Sequence, residues 1–188
     1  RTTDDAKASA SEDAGGGYDL VVAAGGDGTV EAVAEQLLGT KTALGVLPLG
    51  SVMNLARSLG IPRDPEAAAD GFRNGRIRTI DVGEVLGRPF FEAASVGMNV
   101  AIFEAATAFE RRHWSAGLRN IWTAVRYRPA RMAIELDEER IQTRALMVSV
   151  SNGPFTGAAM NVAPHARLDD GKFDVVVFRR LSKARLVR

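Results

Sequence analysis

The sequence predicts an α/β unit followed by a β-rich one. The first rests on two passes of one order: an apolar run, a glycine loop and a helix from Leu20 to Leu38, and the same succession from Thr42 to Leu59. Alternating strands and helices build a parallel sheet whose ligands sit beyond the carboxyl ends of its strands, so both loops are expected to face one crevice. The second rests on a change of pattern at Arg76, after which short alternating runs are separated by turn residues. The boundary is set near Asp81, giving units 1–80 and 81–188, the latter with a helical insertion over 99–128.

Thr2 to Gly17, rich in Ala, Ser, Asp and Gly, suits a weak helix leading into a strand at Tyr18 to Ala24. Because Leu20 to Ala24 is unbroken and apolar, this strand is expected to be covered on both faces. Thr29 is expected to open and cap a helix over 29–38. Thr42 to Leu47 follows as a strand, then Pro48-Leu-Gly-Ser51 as a turn, with Ser51 a candidate cap for a helix from Val52 to Leu59. A connector over Ile61 to Pro65 precedes a helix from Glu66 to Asn74, closed by Gly75. Arg78 to Leu86 and Phe90 to Val96 read as a hairpin turning through Gly87-Arg88-Pro89. Helices are expected at Asn99 to Arg111 and Ser115 to Tyr127, then strands at Arg131 to Leu136 and Gln142 to Ser151 around the acidic turn Asp137-Glu-Glu139. Strands at Ala158 to Ala163 and Lys172 to Phe178 complete the order.

With 188 residues, 46% of them hydrophobic, the chain is long enough for one substantial core or two small ones. A net charge of +1 leaves no basic excess to neutralise a nucleic-acid backbone. The absence of cysteine excludes disulfides and thiolate metal sites, and suits the cytoplasm. No apolar run approaches the roughly 20 residues that span a bilayer, so membrane contact is expected to be peripheral, at the inner face. Both ends of the chain read as cut from something longer. The basic stretch from Arg111 to Arg131, carrying Trp114 and Trp122, reads either as a membrane-facing surface or as core indoles with arginines outside. The basic, amphipathic segment Arg179 to Arg188 reads equally as a membrane-facing stretch or as a truncated structural helix, and His113 and His165 as surface residues.

Gly25, Gly26 and Gly28 allow backbone amides to approach a ligand closely, and the helix start beside them adds unsatisfied donors and positive dipole. This is a phosphate cradle. Asp27 is its odd member, because a carboxylate there repels phosphate unless a cation or a substrate hydroxyl intervenes, which points to phosphoryl transfer. The alternative is an ordinary tight turn. In the second loop, Gly50, Ser51 and Asn54 serve either a phosphate or a helix cap. In a third cluster, Leu168-Asp-Asp-Gly171 reads equally as a hard-cation site or as a solvated turn.

Gly25-Gly-Asp-Gly-Thr29, Leu47-Pro-Leu-Gly-Ser51 with Asn54-Leu-Ala-Arg57, Ile80-Asp-Val-Gly83, Ser95-Val-Gly97, Asn152-Gly153 and Ala163-Pro164 with Leu168-Asp-Asp-Gly171 follow one another in order. Together they resemble the diacylglycerol kinase and sphingosine kinase superfamily, above all its bacterial lipid kinases. The resemblance implies an N-terminal Rossmann-like, NAD-kinase-like α/β domain and a C-terminal β-sandwich-like domain, both incomplete in this chain, with the active site in the cleft between. It also implies ATP and Mg²⁺ as cofactors and a hydroxyl of diacylglycerol or a related lipid, met at a membrane surface, as acceptor. By matching position, nucleotide contacts fall on Thr3, Gly25, Gly26, Asp27, Gly28, Thr29 and Ser51, with Asp27 also catalytic. Mg²⁺ falls on Asp170 with the carbonyls of Arg167 and Lys172. Alternatives are a soluble-metabolite kinase of the NAD type, whose loop this one also resembles, and a non-catalytic nucleotide-sensing domain. Oligomeric state is not legible. Departures from the family pattern are Glu31-Ala32 after the loop, a glycine run reduced to Gly157-Ala-Ala159, and no counterpart of the late Asp-Gly-Glu base motif.

Overall fold

The computed structural model describes residues 2–98 and 127–179. The helices expected between Asn99 and Tyr127, with His113, Trp114 and Trp122, and the basic segment after Arg179 fall outside the described residues, Tyr127 excepted. Two compact units are formed, and neither is one continuous stretch. The first combines Arg1–Ala93 with Ser151–Asp174, the second Ala94–Val150 with Val175–Arg188.

In the first unit, α1 (Thr3–Gly15) starts at a capping box: the Thr2 hydroxyl accepts from Asp5 N at 3.3 Å and the Asp5 carboxylate accepts from Thr2 N at 2.7 Å. β1 (Leu20–Gly25), α2 (Asp27–Leu37), β2 (Ala43–Pro48), α3 (Asn54–Ser58) and α4 (Pro65–Asn74) follow. Asp64 caps α4 by accepting from Ala67 N at 2.9 Å, with Pro65 in the first turn, where its missing N–H is harmless. β1 and β2 are parallel, in register from Leu20↔Ala43 to Gly25↔Pro48. Both following loops therefore leave the same end of the sheet, as alternating strands and helices require.

The core of this unit packs Val30, Val33, Ala34 and Leu37 of α2 against Ala23, Val46, Leu55 and Ala56, with Ala10 of α1 beneath. Phe91 and Leu168, distant in sequence, complete it. The two faces of β1 are covered unequally, contrary to expectation: Ala23 is buried, with Val21 and Gly25 half-buried on its side. Leu20 and Val22 remain 39% and 41% exposed, because on their side Phe72 of the short α4 is the ring that approaches β2 at Gly45.

Downstream lie β3 (Gly83–Val85), β4 (Arg88–Phe90), β5 (Ala93–Gly97), β6 (Ala130–Glu135), β7 (Arg140–Ala145), β8 (Met147–Ser151), β9 (Phe155–Thr156), β10 (Met160–Asn161) and β11 (Asp174–Phe178). The expected hairpin is shifted. β3 pairs β4 antiparallel, and Leu86 and Gly87, at φ 52° and 73°, form the two-residue turn, so Arg88 and Pro89 belong to a strand. β5 separates from it and joins a sheet of order β11-β8-β5. The strand expected over 142–151 breaks at Leu146, whose amide donates to the Phe178 carbonyl at 2.7 Å and whose carbonyl accepts from Met98 N at 2.9 Å. The strand expected over 158–163 is a small hairpin instead, β9 with β10. β6 and β7 pair antiparallel around the acidic turn as expected. A parallel α/β layer together with small β-sheets is the fold class that the sequence predicts.

Asn152 fastens the late segment to the first unit. It is fully buried, and its side-chain amide donates to the carbonyls of Asp81 at 2.7 Å and Phe91 at 3.0 Å, while its own N–H donates to the Glu92 carbonyl at 2.8 Å. Asp81 N in turn donates to the Leu168 carbonyl at 2.6 Å. Asn152→Asp replaces two donors by lone pairs facing two carbonyls, and is expected to lower unfolding free energy by about 3 kcal/mol at neutral pH in urea titration.

Candidate functional site

Where β1 ends, Gly25 accepts Thr29 against its backbone: a Cβ there would lie 2.7 Å from the Thr29 Cβ. Gly26, in extended conformation, is the residue that caps α2, and Asp27 is the first helical residue. The helix thus begins two residues before the expected start, and Thr29 is not its cap. Thr29 instead folds back over Gly25, and its amide donates to the Gly26 carbonyl at 3.0 Å.

The second loop runs alongside. The Leu49 amide donates to the Gly25 carbonyl at 3.0 Å, and a Cβ on Gly50 would stand 2.5 Å from the Gly26 Cα and 2.9 Å from the Met53 sulfur. Only glycine at position 50 lets the two backbones touch. Ser51 is exposed, and its carbonyl accepts from Arg63 at 2.7 Å. It does not cap α3, which begins after Met53 in the left-handed conformation, φ 57° and ψ 54°.

The cap comes from the first loop. Asp27 Oδ2 accepts from Met53 N at 2.8 Å and Oδ1 accepts from Asn54 N at 2.7 Å. These charge-assisted bonds hold Met53, 1% exposed, in a conformation that costs a non-glycine residue on the order of 1 kcal/mol or more. Asn54, equally buried, sends its side-chain amide to Glu92 Oε2 at 2.9 Å and to the Gly157 carbonyl at 2.8 Å. Asp27, Glu92 and the β9–β10 turn are therefore joined through one asparagine.

Three carboxyls gather around this point. Burial, and then the charge of Asp27, raise Glu31 above the usual carboxylate range. Glu92 is pushed up to about 8, first by burial and then by the charge of Glu31, with the Asn54 hydrogen bond opposing. Glu92 lies outside every motif of the sequence. Its signal was a lone acid inside Pro89-Phe-Phe-Glu-Ala-Ala94, an apolar run in which a carboxyl has no reason to sit on composition alone.

The structure gathers Gly25, Gly26, Asp27, Gly28, Thr29 and Ser51 at the ends of β1 and β2. Thr3 lies exposed in the first turn of α1, where Thr2 supplies the cap. The third cluster is a separate turn. Asp169 pairs with Arg78 at 2.8 Å and approaches Arg167, and the Arg78 hydrogen bond holds its carboxyl below the usual range. Asp170, also exposed, accepts from Lys172 N at 3.2 Å, and Asp81 from Gly171 N at 2.7 Å. Among the described residues no three acidic or histidine side chains converge as a metal cage. A cation at this turn would rest on the Asp170 carboxylate with main-chain oxygens, a donor set that suits a hard ion.

Residues 1–85 match the model of the diacylglycerol kinase catalytic domain, and residues 93–188 that of the YegS C-terminal NAD kinase beta sandwich-like domain. The chain belongs to the diacylglycerol kinase and YegS-like lipid kinase family. A diacylglycerol kinase of Bacillus subtilis is 33% identical over 177 residues, covering 91% of this chain and 58% of that protein. A Pseudomonas aeruginosa protein named "Probable lipid kinase YegS-like" is 32% identical over 179 residues, covering 92% and 59%. A solved diacylglycerol kinase structure from Bacillus anthracis strain Sterne superposes with a TM-score of 0.72 at 23% identity, covering 93% of this chain and 57% of that one, a likeness of fold. The chain thus spans less than two thirds of the relatives it matches. Among the described residues no helix is long and apolar enough to cross a membrane.

Two substitutions test the loop-to-loop packing. Asp27→Asn sets an amide against a main-chain N–H, and Gly50→Ala drives a methyl into Gly26; each is expected to lower stability by about 1–3 kcal/mol in urea denaturation. The near-isosteric volume of asparagine does not spare the fold here, because the carboxylate accepts from both amides.

Proposed function

We propose that this chain carries the nucleotide-binding machinery of an ATP- and Mg²⁺-dependent lipid kinase that phosphorylates a hydroxyl of diacylglycerol or a related lipid. The observation that supports it best is the pairing of two glycine loops at the ends of parallel strands, locked by one carboxylate, in a chain of the lipid kinase family. Amides of Gly26 and Gly28 line the phosphate side, with the dipole of α2 behind them, while the Thr29 amide donates to the Gly26 carbonyl at 3.0 Å. The Thr29 and Ser51 hydroxyls are placed to hydrogen-bond phosphate oxygens.

Asp27 acts by position. Its lone pairs are in part committed to Met53 and Asn54, so its work is to hold the second loop in register with the first rather than to strip a proton from the acceptor. Transfer of a phosphoryl group demands little covalent chemistry from a protein and much alignment, so a rigid pair of loops is the contribution these residues make. Arg167, Asp170 and Lys172 would hold Mg²⁺ through one carboxylate and two carbonyls, where the ion supplies positive charge and ties the turn together. The acceptor reaches the protein from a membrane surface by peripheral contact.

The test is phosphate transfer from radiolabelled ATP by the full-length protein to vesicles containing diacylglycerol, with phosphatidylglycerol and NAD as alternative acceptors. Label in a lipid supports the reading, label in NAD transfers it to a metabolite kinase, and ATP binding without transfer to any acceptor overturns it. Asp27→Asn is expected to reduce turnover by about 100-fold or more through misalignment. Asp170→Ala is expected to make the melting temperature insensitive to added Mg²⁺; a rise that persists in this variant places the metal elsewhere.

A further inference from the structure

Glu92 has no place in the reading above, yet it occupies the junction of the two loops. It is largely buried, in contact with Asn54 at 2.9 Å and within hydrogen-bonding reach of Asp27, and its Oε1 is buried without a partner among the described residues. Asn54 binds both carboxyls at once, through its main-chain N–H to Asp27 and through its side chain to Glu92. The groups facing Glu92 are Asp27 and Glu31 from α2, Asn54 from α3, and through Asn54 the carbonyl of Gly157. Among the described residues none of these groups is a cation, so an ionised Glu92 would meet two other carboxylates in a partly dry setting. A phosphate would then approach three negative charges.

We propose that Glu92 is a positioning residue of the phosphate loops, working as a neutral carboxylic acid that shares its proton with Asp27 and keeps Asp27 and Asn54 aligned. This rests on the reading of these loops as the nucleotide site and adds a proton to its working parts. A protonated carboxyl offers a donor to Asp27 while its other oxygen accepts from Asn54, which is how an acid is accommodated beside a fixed carboxylate. Loss of the proton removes the donor, adds a charge that repels the nucleotide, and sets two carboxylates against each other across Asn54.

The direction of the pH dependence follows from its raised value. In the unfolded chain Glu92 ionises near 4.5, in the folded chain near 8, so the folded state holds the extra proton between them. Stability from this group is complete below about pH 4.5, declines as pH rises, and is exhausted above about pH 8. Glu31 acts in the same sense but remains in every variant of Glu92.

The experiment compares the full-length protein with its Glu92→Gln and Glu92→Ala variants for ATP affinity at pH 7 and pH 9 and for melting temperature without nucleotide from pH 5 to pH 9. Glutamine mimics the protonated acid, with one donor face and one acceptor. The expected result is that native affinity weakens by about tenfold between pH 7 and pH 9 as the competent fraction falls, that Glu92→Gln varies less than twofold, and that Glu92→Ala binds weakly at both. A glutamine variant with the native pH dependence, or an alanine variant that binds as the native protein does at both pH values, overturns the proposal. If no form binds ATP, the nucleotide reading fails and the melting curves decide Glu92 alone. A native melting temperature that falls relative to Glu92→Gln from pH 5 to pH 8 supports the shared proton, and parallel curves overturn it.

Discussion

The two hydrogen bonds that Asp27 accepts from Met53 and Asn54 organise this region more than any apolar contact does. A helix of five residues is too short to hold itself, and α3 starts from a buried methionine in left-handed conformation. The carboxylate supplies the missing acceptors for its first amides and, being charged, does so with bonds stronger than neutral ones. With α3 fixed, Asn54 is aimed at Glu92 and the Gly157 carbonyl, Leu55 and Ala56 enter the core, and Gly50 is pressed onto Gly26. An aspartate that seemed out of place in an anion-binding loop is thus first a helix cap, supplied across space by a residue 26 positions away.

Much of this was legible. The parallel pair of strands, the glycine loops, the presence of α1 and α2 and the end of α4 at Asn74 followed from composition, apolar runs and turn residues, and the ordered motifs pointed to the family that the chain belongs to. What escaped the sequence were matters decided by distant partners. The exposed face of β1 depends on how much of it α4 covers, which periodicity does not encode. The hairpin turn slid from Gly87-Arg88-Pro89 to Leu86-Gly87 because a leucine took a positive φ that local propensity disfavours. The strand break at Leu146 answers to Phe178 and Met98, both remote in sequence.

The candidate site shows the same division. The glycines and the acid were visible because their chemistry is local: a backbone that must approach a ligand, a helix start, a hydroxyl. The partnership of Asp27 with Met53 and Asn54 was not, since any carboxylate in a loop has many possible donors and the chain alone does not say which. Glu92 was hidden for the opposite reason. It stands outside every motif, and its significance comes from being surrounded by Asp27, Glu31 and Asn54, a fact that exists only once β1, α2 and α3 have converged.

Because the first unit closes with Ser151–Asp174, its assembly is bound to the order in which the chain is made. The stretch up to Ala93 leaves a ribosome first, with α1, α2, β1 and β2 able to form local contacts early. Phe91 then waits for Leu168, and the carbonyls of Asp81 and Phe91 wait for Asn152, some 60 to 70 residues later. Closure of so long a loop is slow compared with pairing between neighbours, and the half-built unit meanwhile exposes the apolar surface that Leu168 will cover. The two glycine loops of this unit are therefore made well before the segment that secures them.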